Sequence, residues 1–317
     1  MKSTTAILLM AYGGPDSLES VEPYLLDVRG GRPTSPELIE EIRHRYEVIG
    51  GKSPLLDITR QQAQALENHL NSKSESQYKV FVGMRHWYPY IRETVGDIAA
   101  SGITKIIAIC MTPFFSSIST GAYYEHLERA IEGQTNYPEW QNNLSINKIG
   151  AWYTNSQFHK AIATNIKESL AIASEKGIPP PTVLFTAHSL PAILAEQGDP
   201  YAEQFAHLAA LVAEEAGLSH SQYEYCFQSA GAQNTHWLGP SLEETLEKFS
   251  KSGNKSVLIA PIGFLSDHVE VLFDIDVEAI QLATQLNLHL TRIPSLNDQP
   301  LFIKALANII IESEQSS

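Results

Sequence analysis

A chain of 317 residues, 43% of them hydrophobic, is long for one core and suits two domains of roughly 150 residues each. Its net charge of −14 argues against a nucleic-acid partner, which demands basic surface. No segment approaches the ~18 apolar residues of a membrane span, and the short apolar run 1–12 lacks the length and cleavage site of an export signal, so a cytoplasmic location is expected. Cys110 and Cys226 lie far apart in strand-like runs and read as buried free thiols. A cysteine-built zinc site or iron–sulfur cluster is therefore not expected.

The first β-rich run, 5–11, ends at Gly13-Gly14-Pro15, a turn after a buried strand. The piece 15–77 exceeds one crossover helix. It predicts three helices, among them 36–48 and 57–70, placed as a lid over a cleft. Further runs follow at 78–84, 104–111 and 143–149, then a helix at 156–173. The second half repeats the scheme with runs at 182–187, 223–229, 255–262 and 288–293, and helices at 241–249 and 298–312. Alternating strand and helix implies parallel sheets covered on both faces. The expectation is an α/β protein of two similar domains, 1–150 and 151–317, each with a four-stranded parallel sheet flanked by helices, the last helix packing back on the first domain.

Ligands of such sheets bind beyond the carboxyl ends of the strands. There the sequence carries Tyr12-Gly13-Gly14, Arg85-His86, Ala187-His188-Ser189 and Gly263-Phe264. The segment 266–278 reads as a helix that sets Glu270, Asp274 and Glu278 at i, i+4 and i+8. Like charges at that spacing repel by a few tenths of a kcal/mol per pair, and a divalent cation would relieve them. A solvated acidic face fits equally well. His188 follows a strand directly and is placed to act as a metal ligand, a base or a hydrogen-bonded structural residue. Ser189 lacks both glycines of a nucleophile elbow. Gly51-Lys52-Ser53 resembles the end of a phosphate-binding loop, but Tyr46 replaces its leading glycine and a helix precedes it. No glycine run spells a dinucleotide fingerprint. Arg29, Arg32, Arg45 and Ser53 offer donors for carboxylates, and Tyr12, Tyr46, Trp87 and Tyr123 offer flat apolar surface. Together they suit a large, planar, multiply anionic ligand.

These motifs resemble the ferrochelatase family. The matching pieces span nearly the whole chain, and two are highly specific: Phe185-Thr186-Ala187-His188-Ser189-Leu190-Pro191 and Pro261-Ile262-Gly263-Phe264-Leu265-Ser266-Asp267-His268-Val269-Glu270. The resemblance implies two Rossmann-like domains around a porphyrin cleft, with Fe2+ and a porphyrin as substrates in haem synthesis. It implies that His188 and Glu270 are catalytic, face each other across the macrocycle centre and bind iron, with Asp274 and Glu278 as outer metal-handling carboxylates. Tyr12, Arg29, Arg45, Tyr46, Ser53, His86 and Tyr123 match porphyrin-contacting positions, and Tyr12 resembles the axial ligand of the coproporphyrin-type enzymes. It further implies a monomer without a tightly bound cofactor or iron–sulfur cluster, in transient contact with neighbouring haem-pathway enzymes. The chemistry requires a bent macrocycle, removal of two pyrrole protons and dehydration of the ion, with a neutral His188 as one acceptor. Rival readings are a protoporphyrin-type enzyme, a cobalt or sirohydrochlorin chelatase, and a haem-binding protein without catalysis.

Overall fold

The computed structural model describes residues 4–73, 76–231 and 235–315. Its strands are β1 (Thr4–Ala11), β2 (Gln77–Met84), β3 (Lys105–Cys110), β4 (Ser145–Ile149), β5 (Thr182–His188), β6 (Tyr223–Gln228), β7 (Ser256–Ala260) and β8 (His289–Arg292). They form two parallel four-stranded sheets, ordered β2-β1-β3-β4 and β6-β5-β7-β8. The eight apolar runs of the sequence are these eight strands, and the α/β class follows as expected. Ile7, Leu8, Leu9 and Met10 of β1 and Val257, Leu258 and Ile259 of β7 are buried to a residue, because helices cover both faces of a central parallel strand.

The chain divides into two compact units. The N-terminal unit runs to Pro113, takes in Ser117–Trp152 and closes with the stretch from Asn297. The C-terminal unit holds Phe114–Ser116 and Tyr153–Leu296. Helix Pro300–Gln315 thus belongs to the N-terminal unit, where it packs along helix Leu55–Lys73. Its Glu314 accepts hydrogen bonds from Tyr78 Oη at 2.6 Å and Lys105 Nζ at 2.7 Å.

In the N-terminal unit, Ala6, Leu8, Met10, Ile106 and Ala108 pack against Val95 and Ile98 of helix Ile91–Ala100 and Leu127 of helix Ala122–Glu132. In the C-terminal unit, Leu184, Val257 and Ile259 pack against Leu246 and Phe249 of helix Leu242–Lys251 and against Val271 and Ile275. Each fully buried aliphatic or aromatic side chain contributes ~1.5–3 kcal/mol. The connection from β1 to β2 holds helices Val21–Val28, Pro36–Val48 and Leu55–Lys73. The second starts at Ser35, whose hydroxyl accepts from the Leu38 amide at 3.3 Å, with Pro36 in the first turn.

The sequence reads 266–278 as one regular helix, and the structure corrects this. An α-turn, Val269–Leu272, gives way at Phe273 to a wider π-type turn, Asp274–Ala279, before helix Ile280–Gln285. The amides of Val277 and Glu278 both reach the Phe273 carbonyl. A π-type turn absorbs an extra residue, so the i, i+4, i+8 rule no longer decides which side chains align.

The strand order locates the sites. The connections that leave β1 and β3 run to opposite edges of the first sheet, and those that leave β5 and β7 to opposite edges of the second, so the topological switch points lie between β1 and β3 and between β5 and β7.

Candidate active site

His188 is the last residue of β5, and Glu270 follows the turn after β7, so the C-terminal unit's switch point brings them together. His188 Nε2 lies 3.3 Å from Glu270 Oε1. His188 Nδ1 donates to the Ser189 carbonyl, and Tyr201 Oη donates to the His188 carbonyl at 2.9 Å. The other oxygen of Glu270 lies 3.4 Å from His268 Nε2, and the His268 ring stacks tilted on Phe264 at 4.7 Å. Gln228 ties the two strand ends: it accepts from Thr186 Oγ1 at 2.6 Å and donates to the Glu270 carbonyl at 2.8 Å.

Two expectations change here. Groups facing each other across a macrocycle must be separated by two van der Waals contacts, about 7 Å. At 3.3 Å His188 and Glu270 are in direct contact, with no room for a macrocycle between them in this structure. The neutral His188 is the second. Burial pulls its imidazole down, but the charge and hydrogen bond of Glu270, the Ser189 carbonyl and Asp274 outweigh burial and raise it to about 9. Burial likewise works against the Glu270 carboxylate, yet His188 and His268 hold it well below the usual carboxylate range. At neutral pH the resting pair is imidazolium and carboxylate.

The acidic residues beyond Glu270 have separate anchors. Asp274 accepts from Ser229 Oγ, and Ser229 sits at a left-handed φ of 59°, a costly conformation for serine that holds its hydroxyl towards this turn. Asp276 makes a two-pronged pair with Arg292, both contacts at 2.8 Å, and Arg292 also lies 3.4 Å from Asp267. Glu278 is exposed on the same turn. Among the described residues, no three His, Cys, Asp or Glu side chains are arranged to enclose one ion.

The N-terminal unit carries the remaining predicted residues. Tyr12, just past β1, is 41% exposed and stacks on the buried His86 with ring centroids 4.7 Å apart. Its neighbour Gly13 has a φ of +94°, and an added Cβ would meet the Trp87 amide nitrogen at 2.9 Å, so only glycine fits this turn. His86 Nδ1 lies 2.8 Å from Asp27, which also accepts from Tyr90 Oη at 3.3 Å. Arg29 caps helix Val21–Val28, and its Nε is buried without a hydrogen-bond partner among the described residues. Arg45 pairs with Glu41 at 3.0 Å, while Tyr46, Ser53 and Tyr123 are buried. The Ser53 amide donates to the Pro15 carbonyl at 2.8 Å, tying it to the β1 turn. Arg85 lies 5.6 Å from the centre of the Tyr123 ring.

Sequence reasoning missed His268, Gln228, Ser229, Tyr201 and Asp27. His268 stood in the 261–270 motif, two residues before Glu270, and the signal for Gln228 and Ser229 was their place at the end of β6. Nothing local marked Tyr201 or Asp27.

Two parallel four-stranded sheets in this order make up a chelatase-like fold, with a histidine and a carboxylate paired at the switch point of the second sheet. The fold is shared with SirB from Bacillus subtilis: a TM-score of 0.57 at 16% identity, covering 99% of this chain and 96% of that one. The ferrochelatase family model matches residues 4–314. A ferrochelatase of Herpetosiphon aurantiacus is 38% identical over 98% of this chain and 99% of its own length. A coproporphyrin III ferrochelatase of Bacillus subtilis is 35% identical over 96% of both. The chain belongs to the ferrochelatase family, a family of metal-inserting enzymes, and inserts Fe2+ into a porphyrin. No helix among the described residues is long and apolar enough to cross a membrane.

Proposed function

We propose that the porphyrin is coproporphyrin III and that His188 and Glu270 together take its inner protons and receive the iron. The observation that carries the pair's role is their direct contact at the switch point of the C-terminal unit. Insertion of one Fe2+ releases two pyrrole protons, so the site must accept protons while it holds a cation. The resting pair already has one proton on His188. A divalent ion drawn to the Glu270 carboxylate cancels the field that keeps the imidazolium charged. His188 then gives its proton to solvent, takes one pyrrole proton, passes it to solvent and takes the second as Fe2+ replaces both on the ring nitrogens. General-base help of this kind is worth roughly 10²–10⁴-fold. His268 and Gln228 hold Glu270 in position throughout. Asp274 and Glu278 pass the ion towards Glu270 and offer oxygen ligands suited to a hydrated divalent metal.

The choice of coproporphyrin is supported by the donor set Arg29, Arg45, Tyr46 and Ser53, which suits a ring edge with four carboxylates better than one with two. The names of several curated relatives, the Bacillus subtilis enzyme among them, point the same way. Tyr12 would ligate the product iron axially with a hard oxygen, and His86 and Tyr123 would contact the ring. The enzyme works on this reading as a cytoplasmic monomer with no resident cofactor or iron–sulfur cluster, meeting neighbouring haem-pathway enzymes transiently. Anaerobic assays with coproporphyrin III and protoporphyrin IX side by side test the substrate. A clear kcat/KM preference for coproporphyrin is expected, because vinyl groups leave the donors unpaired. Equal or better use of protoporphyrin refutes the coproporphyrin assignment.

A further inference from the structure

The N-terminal unit holds an open pocket of about 480 Å³ next to the carboxyl end of β2, lined by Arg85, His86, Tyr90, Arg92, His126 and Arg129. Its one carboxylate, Asp27, has both oxygens engaged, by His86 at 2.8 Å and by Tyr90 at 3.3 Å. The three guanidiniums are less committed. Arg85 gives one nitrogen to the Ile118 carbonyl at 3.0 Å and leaves Nε buried without a hydrogen-bond partner among the described residues. Arg92 and Arg129 are exposed; Arg92 lies 4.0 Å from the centre of the Tyr90 ring and 3.8 Å from Glu93, and Arg129 pairs with Glu125 at 3.4 Å. His126 is half-buried, with no hydrogen bond among the described residues. Burial, Arg85 and Arg129 all push its imidazole down, so it enters neutral, able to donate one hydrogen bond.

A pocket with three cations, one satisfied carboxylate and an unpartnered buried guanidinium nitrogen lacks an anionic acceptor. Leaving such a nitrogen dry costs more than a neutral donor would, and a ligand oxygen removes that cost. Planar guanidiniums favour planar, bidentate partners. The volume exceeds that of a lone carboxylate, so the acceptor belongs to a larger molecule.

We propose that this pocket is a carboxylate-binding subsite, separate from the donor set Arg29, Arg45, Tyr46 and Ser53. It takes either a propionate arm of the porphyrin or a free polycarboxylate; only the first source rests on the substrate reading above. The test uses the full-length chain and the double variant Arg92→Gln/Arg129→Gln, both positions being exposed, with denaturant unfolding to confirm that the variant folds. Citrate and inorganic phosphate are titrated calorimetrically, and KM is measured for both porphyrins. If the source is the porphyrin, the variant's KM for coproporphyrin rises about tenfold, beyond any change in kcat, and citrate competes with porphyrin. If the source is a free polycarboxylate, saturable citrate binding weakens about tenfold or more in the variant while both porphyrin KM values hold. Unchanged citrate binding together with unchanged KM values overturns the proposal, as does phosphate bound as tightly as citrate. A wild-type preference for protoporphyrin would refute the coproporphyrin assignment and leave the citrate result to be judged by itself.

Discussion

Replacing Glu270 with glutamine keeps the side chain's size and removes the negative charge 3.3 Å from His188 Nε2. With that charge gone, burial dominates, and His188 should fall from about 9 to its ordinary 6.5 or below. A fall of about two and a half pH units corresponds to ~3.5 kcal/mol at ~1.4 kcal/mol per unit. The two side chains are 31% and 32% exposed, so solvent screening reduces the pair's net contribution to ~1–2 kcal/mol. The raised His188 contributes stability fully below 6.5 and loses it as pH rises through about 9. The lowered Glu270 contributes above its ordinary 4.5 and loses its share as pH falls towards the depressed native value. The pair therefore stabilises most between 4.5 and 6.5. Urea denaturation at about pH 5.5 should show the wild type ahead of Glu270→Gln by ~1–2 kcal/mol, a gap that closes by about pH 9.5. NMR titration of the His188 ring should show the fall directly, and turnover should drop by roughly a hundredfold or more. A variant whose His188 still titrates near the wild-type value would refute the claim that Glu270 sets its protonation.

Gly263 packs its α-carbon against the end of β5: an added Cβ would meet Ala187 Cβ at 2.6 Å and Ala187 Cα at 2.8 Å. Gly263→Ala should cost ~1–3 kcal/mol in denaturant unfolding and also lower turnover, since His188 is next in the displaced strand; a change below ~0.5 kcal/mol would count against this packing. Asp274→Asn combined with Glu278→Gln should raise KM for Fe2+ several-fold and leave KM for porphyrin unchanged, measured anaerobically at saturating co-substrate. An unaltered KM for Fe2+ would return both residues to a solvated acidic surface.

Periodicity and residue type carried far in this chain because they act locally. Runs such as Ile7-Leu8-Leu9-Met10 and Val257-Leu258-Ile259, bounded by turn residues, read as strands buried on both faces, and their alternation with helices implies parallel sheets. The capped helix at Pro36–Val48 was legible for the same reason. His188 and Glu270 stood out because they follow β5 and β7, where parallel sheets bind ligands.

What only the tertiary structure decided depends on which strands become neighbours. The order β6-β5-β7-β8 sets β7 beside β5, so the residues after both strands meet and His188 and Glu270 form an ion pair. No sequence spacing states that distance, and without it His188 reads as a neutral base. Phe273 shows the same limit on a smaller scale, since the π-type turn that begins there breaks a helix face that residue spacing alone had made continuous. Asp27 has no local mark at all, and its grip on His86 and Tyr90 exists only because folding brings the first helix to the residues that follow β2.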